Sequence, residues 1–261
     1  MHSHHEESIQ KASAFFRQDP EVEALLLGGS IAHGFEAPNS DIDVMILVSD
    51  QIYRKRLEEG RIHYYSNQWC SYEGGYVDGK YICMEFLNQV ARRGGEPARF
   101  AFQDARVLFS RGAAPEAQLR AIVRYPVEGK EERLRRFHAQ FEAWNWYAHE
   151  ALRLSNRYLL GVSAGKLVLF GGRMILAHNE LLYPYHKWLM RVLERAQDKP
   201  SDLSVKIDAL YAVPGVESIR GFYESIRGFF SWTEKETGWP NQFMMDSELN
   251  WQTGTVCIDD I

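Results

Sequence analysis

The stretch from Leu25 to Val48, LLLGGSIAHGFEAPNSDIDVMILV, constrains the fold of this chain more than any other part. An apolar strand runs into Gly28-Gly29-Ser30. Ten residues follow, and Asp41-Ile42-Asp43 then opens a second apolar strand. Side chains two apart on a strand point to the same face. Asp41 and Asp43 therefore project together, while Ile42, Val44, Ile46 and Val48 face a core. Paired carboxylates can share two Mg²⁺ ions, which sit about 3.5–4 Å apart in two-metal sites. Mg²⁺ takes oxygen ligands, commonly one or two protein carboxylates plus substrate phosphates. Gly28 and Gly29 let the backbone come close to a phosphate. Ser30 is expected to cap the following helix and to offer its hydroxyl and N–H groups to an anion. Gly-Gly-Ser alone is an ordinary turn, and Asp-x-Asp alone an ordinary loop end. Gly, Ser, Asp and Asp at four fixed offsets arise by chance on the order of 10⁻⁵ per window, so coincidence explains the combination poorly.

At these residues the chain resembles the DNA polymerase β-like nucleotidyltransferase superfamily. Its members carry Gly-Ser, a spacer, and Asp-x-Asp at the head of a strand, with a third carboxylate from a later strand. The resemblance covers roughly residues 20–110. It implies a nucleoside triphosphate donor, two Mg²⁺ ions, and transfer of a nucleoside monophosphate to a hydroxyl with pyrophosphate leaving. Asp41 and Asp43 become metal ligands, and Gly28, Gly29 and Ser30 the grip on the phosphates. A catalytic domain followed by a helical one is similar to the antibiotic nucleotidyltransferases, which modify aminoglycosides and lincosamides. The implied acceptor is a small molecule. Some resembled enzymes build their site across two subunits, so a homo-oligomer is compatible with the reading.

The 261 residues suffice for one large domain or two modest ones. Hydrophobic content of 45% and charged content of 25% suit a soluble globular protein. No apolar run reaches the eighteen or so residues of a membrane span, and no membrane association is expected. Met1 to Glu7 carries no signal-peptide core, and His2, His4 and His5 read as a mobile polar terminus. Cys70, Cys83 and Cys257 lack metal spacing and are odd in number, which suits reduced thiols in a cytoplasm. The net charge of −5 disfavours a nucleic-acid partner, because phosphate neutralisation dominates that affinity, and suits a cationic acceptor.

The expected fold class is α+β. A mixed sheet flanked by helices occupies residues 1–112, and a helical bundle that binds the acceptor occupies 113–261. Strands are expected at Val22–Leu27, Asp41–Val48, Lys80–Leu87 and Val107–Phe109, and Ser49-Asp50 is expected to start a polar helical segment through Gly60. Asp78-Gly79 reads as a hairpin turn. From Pro115 the spacing predicts helices over 115–124, 130–160, 163–182, 184–198, 201–212 and 217–229, then an irregular aromatic tail from Ser231.

Glu85 is the only acid in the expected third strand. It is the candidate third metal ligand or general base. Asp78 is the weaker alternative, because the turn alone explains Asp before Gly. Glu142 and Glu150, with His138 and His149, are further base candidates, or members of a solvated helix face. In Tyr183-Pro184-Tyr185-His186-Lys187-Trp188, a lysine stands beside aromatic groups at an expected helix start. Lys187 is a candidate for the β- or γ-phosphate, as similar helical-domain lysines contact the triphosphate in the resembled enzymes. The other reading is a helix start anchored by aromatic packing. His33 reads as half-exposed, and Ser163 and Lys166 as a cap and a surface charge. Arg173 and His178 form an Arg-x₄-His pair that resembles the HEPN ribonuclease motif, but residues five apart on a helix lie about 140° apart. Two alternatives remain: a toxin–antitoxin type of nucleotidyltransferase that modifies a protein, and a non-catalytic nucleotide-binding member of the fold.

Overall fold

A computed structural model describes residues 1–112, 114–234 and 236–253. The chain forms two compact units, Met1–Arg124 and Tyr125–Ile261. Cys257 lies outside the described residues.

The first unit runs α1 (Ser3–Gln18), β1 (Val22–Leu27), α2 (Gly29–His33), β2 (Ile42–Val48), α3 (Asp50–Glu58), β3 (His63–Ser66), β4 (Val77–Ile82), α4 (Met84–Arg93), α5 (Glu96–Phe100), β5 (Arg106–Ser110) and α6 (Pro115–Ile122). The five strands form one mixed sheet in the order β3-β4-β2-β1-β5. Only β2 and β4 are parallel; the other neighbours are antiparallel. Strand alternation sends Leu25, Leu27, Val44 and Ile46 to one face, where they pack with Ile9, Ala12 and Phe16 of α1. It sends Leu26, Met45 and Leu47 to the other face, against Leu87 and Val90 of α4 and Leu119 and Ile122 of α6. Fully burying each such side chain stabilises the fold by roughly 1.5–3 kcal/mol.

Several expectations change here. The Ser49 hydroxyl accepts from the Ile52 N–H and starts α3, as the sequence suggests. Cys83 does the same for α4 through its Sγ, so the run expected as a strand to Leu87 ends at Ile82 and turns helical. Asp78-Gly79 is not a hairpin but the middle of β4. Gly79 is needed there for close packing: a Cβ on it would lie 2.9 Å from Val44 Cγ2. The first unit also extends past residue 112, because Leu119 and Ile122 belong to its core. The histidine-rich start is ordered. His5 is fully buried, and His4 Nε2 lies 2.7 Å from the Pro38 carbonyl oxygen. Burial first, then the neighbouring His4 and His2, holds His5 below the ordinary imidazole range.

The second unit contains α7 (Lys130–Arg153), α8 (Arg157–His178), a 3-10 turn at His186–Trp188, α9 (Leu189–Arg195), α10 (Leu203–Ala212), α11 (Val216–Arg227), α12 (Gly238–Asp246) and a 3-10 segment at Glu248–Thr253. The long helix expected over 130–160 breaks at Ser155, whose φ is +52°, and Asn156 caps α8. Ser163 is therefore a buried residue within α8 and not a cap. The tail expected to be irregular folds partly into α12. By length and composition alone α8 could cross a membrane, but half of that stretch is buried in its own unit.

Candidate active site

The site is built at one end of β2 and β4. Parallel pairing puts Asp43 level with Asp78. Asp41 is two residues before Asp43, so strand alternation brings all three carboxylates to one face. One oxygen from each lies within 4.8 Å of the others, and all three residues are half-buried. Among the described residues this is the group of three potential ligands close enough to hold one ion. Three carboxylates so close repel one another, and a hard divalent cation converts that repulsion into attraction.

The glycine turn is shaped around the same acids. Gly29 sits at φ +61°, and a Cβ there would lie 1.7 Å from Asp43 Oδ2. Its lack of a side chain is thus a steric condition for the carboxylate's position. Gly28 N–H donates to the Asp43 carbonyl at 2.9 Å and pins the turn to β2. The N-terminal cap of α2 is Gly28, so Ser30 does not cap it as expected. Ser30 is instead buried inside α2, and its hydroxyl has no hydrogen-bond partner. A buried hydroxyl left without a partner is costly, and a ligand oxygen would satisfy it. The all-oxygen donor set, the glycine pressed on Asp43 and the unsatisfied Ser30 hydroxyl together fit a magnesium-bound polyphosphate.

Neighbouring side chains contact the acids. His63 Nε2 lies 2.6 Å from Asp78 Oδ1. Tyr76 stands next to Asp41, whose charge and hydrogen bond push the phenol above its ordinary range, with smaller contributions from burial, Asp78 and Asp43. The Tyr72 hydroxyl donates to the Ser40 carbonyl at 2.6 Å and ties down the loop before Asp41. The Tyr72 ring packs on those of His4 and His5.

Glu85 is not part of this cluster. It occupies the first turn of α4, where its side chain is 45% exposed and accepts from Arg92 at 2.7 Å. An acid there complements the helix dipole. The third carboxylate is Asp78, and its signal was masked by the turn chemistry of Asp-Gly. His33 is buried and not half-exposed, with Nδ1 3.3 Å from Asp104 Oδ2 and its ring on Phe100.

In the second unit, Lys187 is exposed in the 3-10 turn, its ammonium 5.0 Å from the centre of the Trp188 ring. The helix expected from Pro184 begins only at Leu189, after Tyr185 at φ +67°. Arg173 and His178 do not pair: Arg173 lies over the Phe137 and Tyr183 rings, and His178 contacts Asp198. Glu142 belongs to a network with Tyr223, His138 and Arg227, while Glu150 pairs with Arg153 on the surface.

No curated protein matches the chain. A solved structure described as a nucleotidyltransferase-like protein from Exiguobacterium sibiricum 255-15 aligns with 95% of this chain and 79% of its own, at 8% identity and a TM-score of 0.47. That likeness is too distant to carry a functional conclusion. Residues 10–68 match the family described as Polymerase beta, Nucleotidyltransferase, a range that contains the glycine turn, Asp41 and Asp43. Over this part the chain is similar to the nucleotidyltransferase domains of the DNA polymerase β family.

Proposed function

We propose that the protein is a Mg²⁺-dependent enzyme that transfers a nucleoside monophosphate from a nucleoside triphosphate to a hydroxyl of a small-molecule acceptor. The observation that carries this reading is the Asp41–Asp43–Asp78 cluster with Gly29 packed on Asp43. In the reaction, the acceptor oxygen bonds to the α-phosphorus. The bond from that phosphorus to the bridging oxygen breaks, and pyrophosphate leaves with its electron pair. Asp41, Asp43 and Asp78 would hold the metal. Gly28 and Gly29 admit the phosphates, and Ser30 donates its hydroxyl to a phosphate oxygen. We assign acceptance of the hydroxyl proton to Asp78, backed by His63. When bound, two Mg²⁺ ions supply charge neutralisation at the attacking and leaving oxygens. The free thiols Cys70 and Cys83 favour a cytoplasmic setting.

Aminoglycosides and lincosamides are the first acceptors to test. The assay is pyrophosphate release with Mg²⁺, ATP or another ribonucleotide, and a panel of these antibiotics, with Asp41→Asn/Asp43→Asn as the blank. Acceptor-dependent release supports the proposal. Nucleotide binding without release under any acceptor would move the acceptor to a protein or another metabolite. No metal-dependent nucleotide binding would overturn the assignment and favour a non-catalytic member of the fold.

A further inference from the structure

Within the helical unit, α7, α8, α12 and the following 3-10 segment enclose a cleft of about 1070 Å³. That volume is at the upper end of ordinary small-molecule sites. Its composition follows from helical spacing. The face of α7 at positions 133, 137, 140, 144 and 147 opens into it, and so does the face of α8 at 158, 162, 166, 170 and 173. The cleft side of α7 from 133 to 147 is about 21 Å long at 1.5 Å per residue.

The two helices differ in a useful way. Between Tyr158 and Ala177, α8 carries only two charged side chains, Lys166 and Arg173. Both are cations, both are seven residues apart on one face, and both line the cleft. The opposite face of α8, with Leu167, Val168, Met174 and Ile175, is buried in the core of the unit, so both cations stand on the face that the cleft leaves open. Arg173 is held between the rings of Phe137 and Tyr183, at 4.1 and 4.5 Å from their centres, so its guanidinium is positioned in advance. The Lys166 ammonium lies 5.9 Å from the centre of the Trp144 ring. Arg133 and Arg136 add positive charge to the same wall. The acids of the cleft are Asp246, paired with Arg136 at 2.9 Å, and Glu248. Trp144, Tyr147 and Phe170 supply half-buried aromatic surface beside these cations. Aromatic surface next to cations suits a ligand with a flat ring and a negative group.

We propose that this cleft is a second ligand site, for a small planar aromatic molecule that carries an anionic group such as a carboxylate, sulfonate or phosphate. The ring stacks among Trp144, Tyr147 and Phe170, and the anion meets the exposed Lys166 ammonium. The site is independent of the transfer chemistry and stands whether or not the acceptor panel succeeds.

The test uses the full chain and two probes of one shape and opposite charge, naphthalene-2-sulfonate and 2-naphthylmethylammonium. Calorimetry and tryptophan fluorescence read binding at low salt. The expected result is at least tenfold tighter binding of the sulfonate. Lys166→Glu, on an exposed side chain, is expected to weaken it at least tenfold, and Trp144→Leu to weaken both probes. Asp41→Asn should leave both unchanged. Absence of saturable sulfonate binding at millimolar concentration would overturn the proposal. So would equal or tighter binding of the cation, or full sulfonate affinity in Lys166→Glu. Loss of sulfonate binding in Asp41→Asn would place the probe in the other unit and overturn it as well. If Trp144→Leu fails to fold by circular dichroism, Lys166→Glu decides alone.

Discussion

Gly29→Ala separates the backbone role of the glycine turn from its steric role. The φ of +61° disfavours any L-residue by roughly 1–2 kcal/mol. Gly34 is a matched control, because its φ is +69° and a Cβ there meets nothing within 4 Å. Both substitutions should therefore lower the melting temperature of the chain by a few degrees, at about 2–4 °C per kcal/mol for a chain of this size. Only at position 29 does the new methyl also lie 1.7 Å from Asp43 Oδ2, where ordinary contact begins near 3.4 Å. The carboxylate oxygen must withdraw by about 1.7 Å, and because the Asp43 Cβ itself lies 2.6 Å from the new methyl, rotation of the side chain is not enough and the backbone of the turn or of β2 must shift as well. Misplacement of about 1 Å at a reacting centre can cost around a hundredfold in rate. The direct assay is Mn²⁺ binding by electron paramagnetic resonance, which needs no knowledge of the acceptor. Gly29→Ala is expected to lose at least tenfold in metal affinity, while Gly34→Ala stays within about twofold of the parent. Equal metal affinity in the two variants, at similar melting temperatures, would refute the claim that Gly29 makes room for Asp43.

Further outcomes follow from the same structure. Asp78→Asn should abolish metal-dependent pyrophosphate release from a folded protein, whereas Glu85→Gln should leave the rate within a few-fold; the reverse pattern would restore Glu85 as the third acid. Ser30→Ala removes a buried hydroxyl that lacks a partner. It should leave the melting temperature unchanged or higher, yet weaken triphosphate binding in calorimetry, and unchanged nucleotide affinity would count against Ser30 as a phosphate donor. For Glu142, burial raises the carboxyl pKa, but bonds from His138 and Tyr223 and the charges of His138 and Arg227 outweigh it, so the folded value lies below the usual 4.5. A depressed carboxyl stabilises the fold above its unfolded pKa, and that stability is lost as pH falls through the folded one. Urea melts of Glu142→Gln should therefore depend less on pH below about 4.5 than melts of the parent, and an identical acid dependence would contradict this.

Much of the first unit is legible in the chain because its signals are local. Val22–Leu27 and the run to Val48 read as strands from composition and alternation, Ser49 marks the start of α3, and the Gly-Ser turn and Asp-x-Asp are recognisable from spacing. The pairing of Asp41 with Asp43 needs only a period of two. Where the structure departs from the local reading, packing outweighs local chemistry. Asp78-Gly79 has the composition of a turn, yet Gly79 sits where β4 must approach Val44, so the pair lies inside a strand. Cys83 gives little sign of being a helix cap, and so the sequence reads Glu85 as a strand residue although it stands in the first turn of α4, outside the Asp41–Asp43–Asp78 cluster. The histidines at the start of the chain look like a polar end, but the ring of Tyr72 packs on His4 and His5.

By itself the sequence determined that two carboxylates and a glycine turn would meet at the head of a sheet, since that outcome depends on neighbours along the chain. Only the tertiary structure decided which third carboxylate joins them, because Asp43 meets Asp78 through the parallel register of two strands separated by a helix and a further strand. It also decided that Gly29 is a steric partner of Asp43, that the first unit's core reaches α6, and that the two cations of α8 share a cleft with the aromatic face of α7. Contacts between residues distant in the chain depend on register and packing, and no local spacing encodes them.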